Sequence, residues 1–157
     1  MTAESYRVDA RRLEDFSARE LHDLLKMRVD VFVVEQKCPY PEIDGKDKHA
    51  LHLRLMQDND LLAAARIFAP AEAAGPAKIG RVVVSPAHRG KRLGDAVMRE
   101  AITLCEERFP ACTIALSAQS HLKAFYASFG FEACSAEYLE DGIPHVDMFR
   151  PTKVAVN

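Results

Sequence analysis

The sequence has no surplus of charge: 21 Lys and Arg against 23 Asp and Glu leave a formal net charge of −2. That balance excludes a general electrostatic pull toward nucleic acid or an anionic membrane, so any anion site must be local. Cysteine is scarce. Cys38, Cys105, Cys112 and Cys134 form no C-x-x-C pair, and no histidine spacing completes a zinc pattern. The expectation is reduced thiols in a cytoplasmic protein without a bound metal. No apolar run is long enough to span a bilayer, and MTAESYRVDARRLEDF at the start offers no apolar core for a signal peptide. Neither GxxxxGK[ST] nor GxGxxG occurs, so the two common glycine-rich nucleotide loops are excluded. Internal repeats and low-complexity tracts are also absent.

What remains fits one domain over residues 1–157, with 48% hydrophobic residues to build a core. Tyr6 and Val8 alternate with polar neighbours, as in a short strand. Ser17 followed by Glu20 has the spacing of a helix capping box. Leu21, Leu25, Arg28, Phe32 and Glu35 then step by four and three along one helical face. KCPYPEIDGKDK reads as a loop, and HLRLM, LLAAARIF and KIGRVVVS as three successive strands. A helix is expected from Leu93 to Phe109, stopped by Pro110, then a strand over CTIALSA and a short helix closed by Gly130. ACSAEYL and HVDMFR, joined by EDGIP, suggest a final hairpin. Successive strands favour antiparallel pairing and the strand-helix-strand steps favour parallel pairing, so a mixed sheet flanked by helices is expected.

The stretch RVVVSPAHRGKRLGDAVMRE joins a β-branched run to a new helix through a basic turn. A helix start carries unpaired N–H groups and the positive end of a dipole. Arg89, Lys91 and Arg92 add charge, and Gly90 permits close backbone approach. The turn from Arg89 to Gly94 is therefore either an anion-binding turn or a solvated basic surface turn; spacing alone does not separate the two.

VVVSPAHRGKRLG, followed later by FYASFGF, resembles the GNAT superfamily of acetyl-CoA-dependent N-acetyltransferases. The family's Arg/Gln-x-x-Gly-x-Gly/Ala pattern falls on Arg89, Arg92 and Gly94, with Arg92 in place of the usual middle glycine. LLKMRVDVFVVEQKCPYPEIDGKD, IGRVVVS, AQSHLKAFYASFGF and EDGIPHVDM extend the resemblance over almost the whole chain and point to the ElaA-like branch. The resemblance implies a three-layer α+β fold, with a mixed, splayed sheet of about seven strands flanked by about four helices. It implies that acetyl-CoA donates an acetyl group to a primary amine, on a small molecule or a protein, by direct attack in a ternary complex. The backbone of Arg89, Gly90, Lys91, Arg92, Leu93 and Gly94 would hold the cofactor diphosphate, and main-chain groups of Val82, Val83 and Val84 would pair with the pantetheine arm. The N–H of Val84 would stabilise the oxyanion. Tyr126 matches the family tyrosine that serves the departing thiolate; as a bare residue it equally suits a core beside Phe125 or Phe129.

The acceptor side is less specified. Arg28 and Glu35 on an apolar helix face would line the acceptor site or form a structural polar pair. Glu35 and His121 are the candidates for the general base, and His145 for a wall of the acceptor site. Glu42, Asp44, Asp47 and Asp141 could rim it for amines, or simply be solvated. Two further readings stay open: a non-catalytic acyl-CoA-binding or sensing module, and an acyl-homoserine-lactone synthase, suggested by Arg28, Phe32 and Glu35 as R-x-x-x-F-x-x-E. The last strands could mediate a homodimer.

Overall fold

A computed structural model of the chain describes residues 5–151. Eight strands form one sheet: β1 (Arg7–Arg12), β2 (Leu51–Gln57), β3 (Asp60–Phe68), β4 (Ala77–Val84), β5 (Ile114–Gln119), β6 (Glu132–Ala133), β7 (Tyr138–Glu140) and β8 (Ile143–Arg150). Their order is β1-β2-β3-β4-β5-β8-β6, with β7 also beside β8. All neighbours are antiparallel except β4 and β5. The sequence suggests about seven strands; the eighth arises because the stretch before the last turn breaks into β6 and β7, both pairing with β8.

Three α-helices are present among the described residues: α1 (Ala18–Val29), α2 (Leu93–Arg108) and α3 (Lys123–Ala127). The count is three rather than about four because the N-terminal helical region is a single rod whose end, Asp30–Glu35, is wound as a π-helix. Ser17 caps α1 with both halves of the capping box formed: its hydroxyl accepts from the Glu20 amide, and Glu20 accepts from the Ser17 amide. Such a cap stabilises a helix by about 1 kcal/mol.

The two faces of the sheet carry different layers. On one face Leu24 and Met27 of α1 and Val31 of the π-helical segment that follows pack with Phe16, Ala64 and Val83. On the other, Leu93, Val97, Met98, Ala101 and Cys105 of α2 join Tyr126, Phe131, Leu116, Val146 and Met148 in the larger core. Strand alternation sorts the side chains: Ile114, Leu116 and Ala118 of β5 enter that core, while Ser117 and Gln119 project from the face on which α1 lies.

The parallel junction positions the site. β4 and β5 pair only at Ala77 with Ile114 and Lys78 with Ala115, although both strands run on for several residues. Beyond that point they part and leave a slot. A bulge in β4 accompanies the parting: the register against β3 shifts between Ala64 and Arg66, and Arg81 has φ +50°. The bulge is anchored from outside the sheet. The Arg81 guanidinium pairs with Glu42 at 2.8 Å and lies over the Tyr40 ring. Glu42 also accepts from Arg28 Nε at 2.7 Å, and Asp47 takes Arg28 Nη1 at 2.8 Å and Arg66 at 3.1 Å. Arg28 is 1% exposed, so this charge network is a buried brace between α1, the 37–48 loop and β3–β4.

Candidate active site

The turn after β4 leads directly into α2. Ser85 N–H bonds Leu62 O at 2.8 Å, which turns Ser85 toward β3; by alternation the N–H and C=O of Val84 face the slot. Pro86–His88 forms one turn of 3-10 helix, and the chain then passes through Gly90 at φ +83° into α2. No atom lies within 4 Å of where a Gly90 Cβ would sit, so that side of the turn is open. The first intrahelical bond of α2 runs from Ala96 N–H to Arg92 O at 3.2 Å. Arg92 supplies no side-chain cap, and the amides of Leu93, Gly94 and Asp95 have no acceptor among the described residues. Three unclaimed donors at a helix start, beneath a basic turn, are the arrangement that binds phosphate oxygens.

Arg92 occupies its position at a conformational cost. Its φ of +57° and ψ of +31° are left-handed, where a Cβ is unfavourable. The substitution has not pulled the backbone into an ordinary conformation; the turn keeps the geometry a glycine would adopt most easily.

Gly94 ties the turn to the rest of the site. A Cβ there would meet Phe125 Cζ at 3.7 Å and Val84 Cγ2 at 4.0 Å, so the start of α2, the end of β4 and α3 converge at one point. Tyr126 follows Phe125 and is 8% exposed, edge-on to Phe125 and Phe131. It is at once a core aromatic and a neighbour of the slot. Burial pushes its hydroxyl up to about 12, and that hydroxyl makes no hydrogen bond within the described residues. Three side-chain polar atoms are buried without hydrogen-bond partners among the described residues: Arg66 Nε in the brace, and, nearer the slot, Ser120 Oγ just past β5 and His88 Nδ1 just past β4. Neither Ser120 nor His88 was singled out by the sequence, where a Ser or His beside a strand end carries no distinctive signal. With the open amides, they make the slot and turn fit an acyl-CoA.

The acceptor-side candidates are dispersed. Glu35 is 44% exposed rather than set in an apolar face, because the π-helical segment changes the number of residues per turn and carries it out of phase. Its carboxylate grips Arg89 through both oxygens, with Arg89 Nη2 at 2.6 Å. That contact holds the Glu35 carboxyl below its ordinary pKa. Arg28 belongs to the buried brace and does not contact Glu35. Glu42, Asp44 and Asp47 are committed to Arg28, Arg66 and Arg81, so they do not form an open acidic rim. Asp141 lends its carbonyl to the Cys38 thiol. His121 is exposed in the short 3-10 turn Ser120–Leu122. His145 is buried on β8, with Nδ1 2.7 Å from Ile143 O, Nε2 3.5 Å from Glu140 and its ring stacked on Tyr138. Next to Glu35, Gln36 donates no charge but meets Gln119 at the tip of β5 at 3.3 Å.

Among the described residues no group of His, Cys, Asp and Glu could hold a metal ion, and no helix is long and apolar enough to cross a membrane.

Comparison with known proteins agrees with this geometry. The family profile described as "Acetyltransferase (GNAT) domain" matches residues 13–150. Protein ElaA of Escherichia coli is 42% identical over 138 residues, covering 87% of this chain and 90% of that protein. A crystal structure of an acyl-CoA N-acyltransferase from Pseudomonas aeruginosa superposes with a TM-score of 0.88 at 43% identity, covering 93% of this chain and 99% of the other. A CoA-dependent acyl-homoserine lactone synthase, BjaI, has a TM-score of 0.75 at 15% identity, covering 92% of this chain and 82% of that one, a likeness of fold alone. A mixed sheet parted at its one parallel junction, an open helix start beside it and these relatives lead to one assignment: the chain belongs to the GNAT acetyltransferase family, on the branch that includes ElaA.

Proposed function

We propose that this protein is an N-acetyltransferase that moves an acetyl group from acetyl-CoA to a primary amine by direct attack within a ternary complex. The observation that carries the reading is the conjunction of the unclaimed Leu93, Gly94 and Asp95 amides with the slot between β4 and β5. The amides and the Arg89–Arg92 side chains would hold the diphosphate, and the slot-facing polar groups of β4 would pair with the pantetheine arm as a sheet edge pairs with a peptide. The bound donor supplies an activated acyl carbon. The chain supplies orientation, a Val84 N–H for the oxyanion and the Tyr126 hydroxyl for the leaving sulfur. With its pKa near 12 against roughly 8.5 for a thiol, Tyr126 does not surrender its proton outright. It serves as a hydrogen-bond donor to the thiolate, and solvent completes the protonation. The four free cysteines accord with a reducing cytoplasm.

Two measurements test the reading together: thermal unfolding with and without acetyl-CoA, and release of CoA thiol across a panel of small amines and N-terminal peptides. The expected result is a raised unfolding temperature and amine-dependent thiol release. Binding with no release on any acceptor would favour an acyl-CoA-sensing module. An unshifted unfolding temperature at saturating acetyl-CoA would refute the use of the turn.

A further inference from the structure

We propose that Ser117, Tyr138 and Asp147 form the path by which the attacking amine loses its proton, so that the acceptor enters on the sheet face bearing α1. This rests on the acyl-transfer reading above.

The placement comes first. A donor anchored by its diphosphate at the turn after β4 runs back along β4 into the slot that opens where β4 and β5 part beyond Lys78 and Ala115, with its acyl end beside the Val84 amide. Ser117 lies two residues beyond that pair and projects from the face on which α1 packs. Tyr126 belongs to the core on the opposite face. Nucleophile and leaving group would thus be served from opposite sides of the acyl carbon, which suits an addition followed by expulsion of the sulfur.

The face itself is polar where it could have been apolar. The register sets Ser117 opposite Asp147, Gln119 opposite His145 and Tyr138 opposite His145. Ser117 and Asp147 are exposed, whereas the α1 packing cluster is confined to residues of the N-terminal half of the sheet. Glu140 and His145 flank the group from β7 and β8, paired with each other at 3.5 Å.

The hydrogen bonds then fix a direction. The Tyr138 hydroxyl lies 2.5 Å from Asp147 Oδ1 and 2.5 Å from Ser117 Oγ. A phenol has one proton, and an ionised carboxylate can only accept, so that proton belongs to Asp147. The Ser117 proton must then point to Tyr138, which leaves the Ser117 lone pairs facing outward to accept an N–H. Burial and then the bond to Asp147 hold the Tyr138 pKa above its ordinary value, so the link stays protonated. Asp147 is also free for this role: it pairs with no Arg or Lys among the described residues, while Glu35, Glu42, Asp44 and Asp47 are all bound to arginines.

The step balances. The protonated amine passes one proton to Ser117 as Ser117 passes its own to Tyr138 and Tyr138 passes its own to Asp147, which discharges it to water. The neutral nitrogen then bonds to the acyl carbon as the C–S bond breaks, and its surplus proton goes through solvent to the thiolate, which is hydrogen-bonded by Tyr126. Ser117 touches the acceptor and is the catalytic residue of the path; Tyr138 and Asp147 act through it.

The test compares two acceptors in wild type, Ser117→Ala, Tyr138→Phe and Asp147→Asn, with acetyl-CoA affinity measured for each by calorimetry. Ethylamine, with a pKa near that of lysine at roughly 10.4, needs its protons managed; hydroxylamine attacks as a neutral base at neutral pH without that help. The expected result is a loss of roughly 10²-fold in kcat with ethylamine for the variants, a change below about threefold with hydroxylamine, and unaltered acetyl-CoA affinity. Equal losses with both acceptors, no loss with either, or a wild type that accepts hydroxylamine but not ethylamine would overturn the path. Failure of the wild type to bind acetyl-CoA would instead strike the acyl-transfer reading. A variant that loses acetyl-CoA affinity is misfolded, and the path is then judged on the other two, which alter side chains on different strands.

Discussion

Arg92→Gly separates the two things Arg92 does. At φ +57° and ψ +31° the arginine sits in left-handed space, at a cost of about 1–2 kcal/mol. Glycine removes that strain but adds about 0.5–1 kcal/mol of backbone entropy to the unfolded chain. The difference leaves the variant more stable by about 0.5–1 kcal/mol, which for a domain of this size raises the unfolding temperature by about 1–4 °C. The ligand response should move the other way. Saturation at about 100 times Kd stabilises wild type by about 2.7 kcal/mol. Loss of one exposed guanidinium from the diphosphate weakens binding by roughly tenfold, which cuts that increment to about 1.4 kcal/mol at the same concentration. Differential scanning fluorimetry over a range of acetyl-CoA concentrations reads both effects. A variant that unfolds earlier without ligand would refute the strain, and an undiminished ligand increment would remove the Arg92 side chain from the phosphate site.

Tyr126→Phe should lower kcat by roughly 10²-fold with acetyl-CoA affinity unchanged, and, because the lost hydroxyl has no partner among the described residues, stability should hold or rise; steady-state kinetics and thermal unfolding check both. Arg28→Met leaves Glu42 held by Arg81 and Asp47 held by Arg66 alone, and should cost about 2–3 kcal/mol by urea unfolding. Acid should destabilise the fold in two stages. Burial lowers the pKa of His52 from 6.5, so its contribution is present above that value and declines as pH falls through and below it. Asp44 and Asp47 are pushed up by burial but pulled down further by their arginines; their contribution is intact above 3.8 and is lost at lower pH, as denaturation midpoints between pH 8 and pH 3 would show.

Local signals were legible in the sequence to the extent that their physics is local. Ser17 and Glu20 announce a helix start because both partners lie within one turn, and both bonds form. The β-branched run ending at Pro86 fixes where β4 stops. Glu35 was misplaced because a 3.6-residue period was carried into a segment that is wound differently. The brace of Arg28, Glu42, Asp47, Arg66 and Arg81 could not be read, since its members are 14 to 39 positions apart and any arginine might have taken any carboxylate. The meeting of Ser117, Tyr138 and Asp147 is likewise a product of strand register, which single residues do not encode.

Only two residue pairs join β4 to β5, so the sheet is two panels sharing a short spine, with α2 packed chiefly on the β2–β4 panel. No ladder of backbone bonds sets the angle between the panels beyond that spine. Whatever lies between the panels becomes part of the sheet. Deuterium uptake at the Val84 amide would register that directly, fast in the empty protein and slowed once a donor supplies the missing strand.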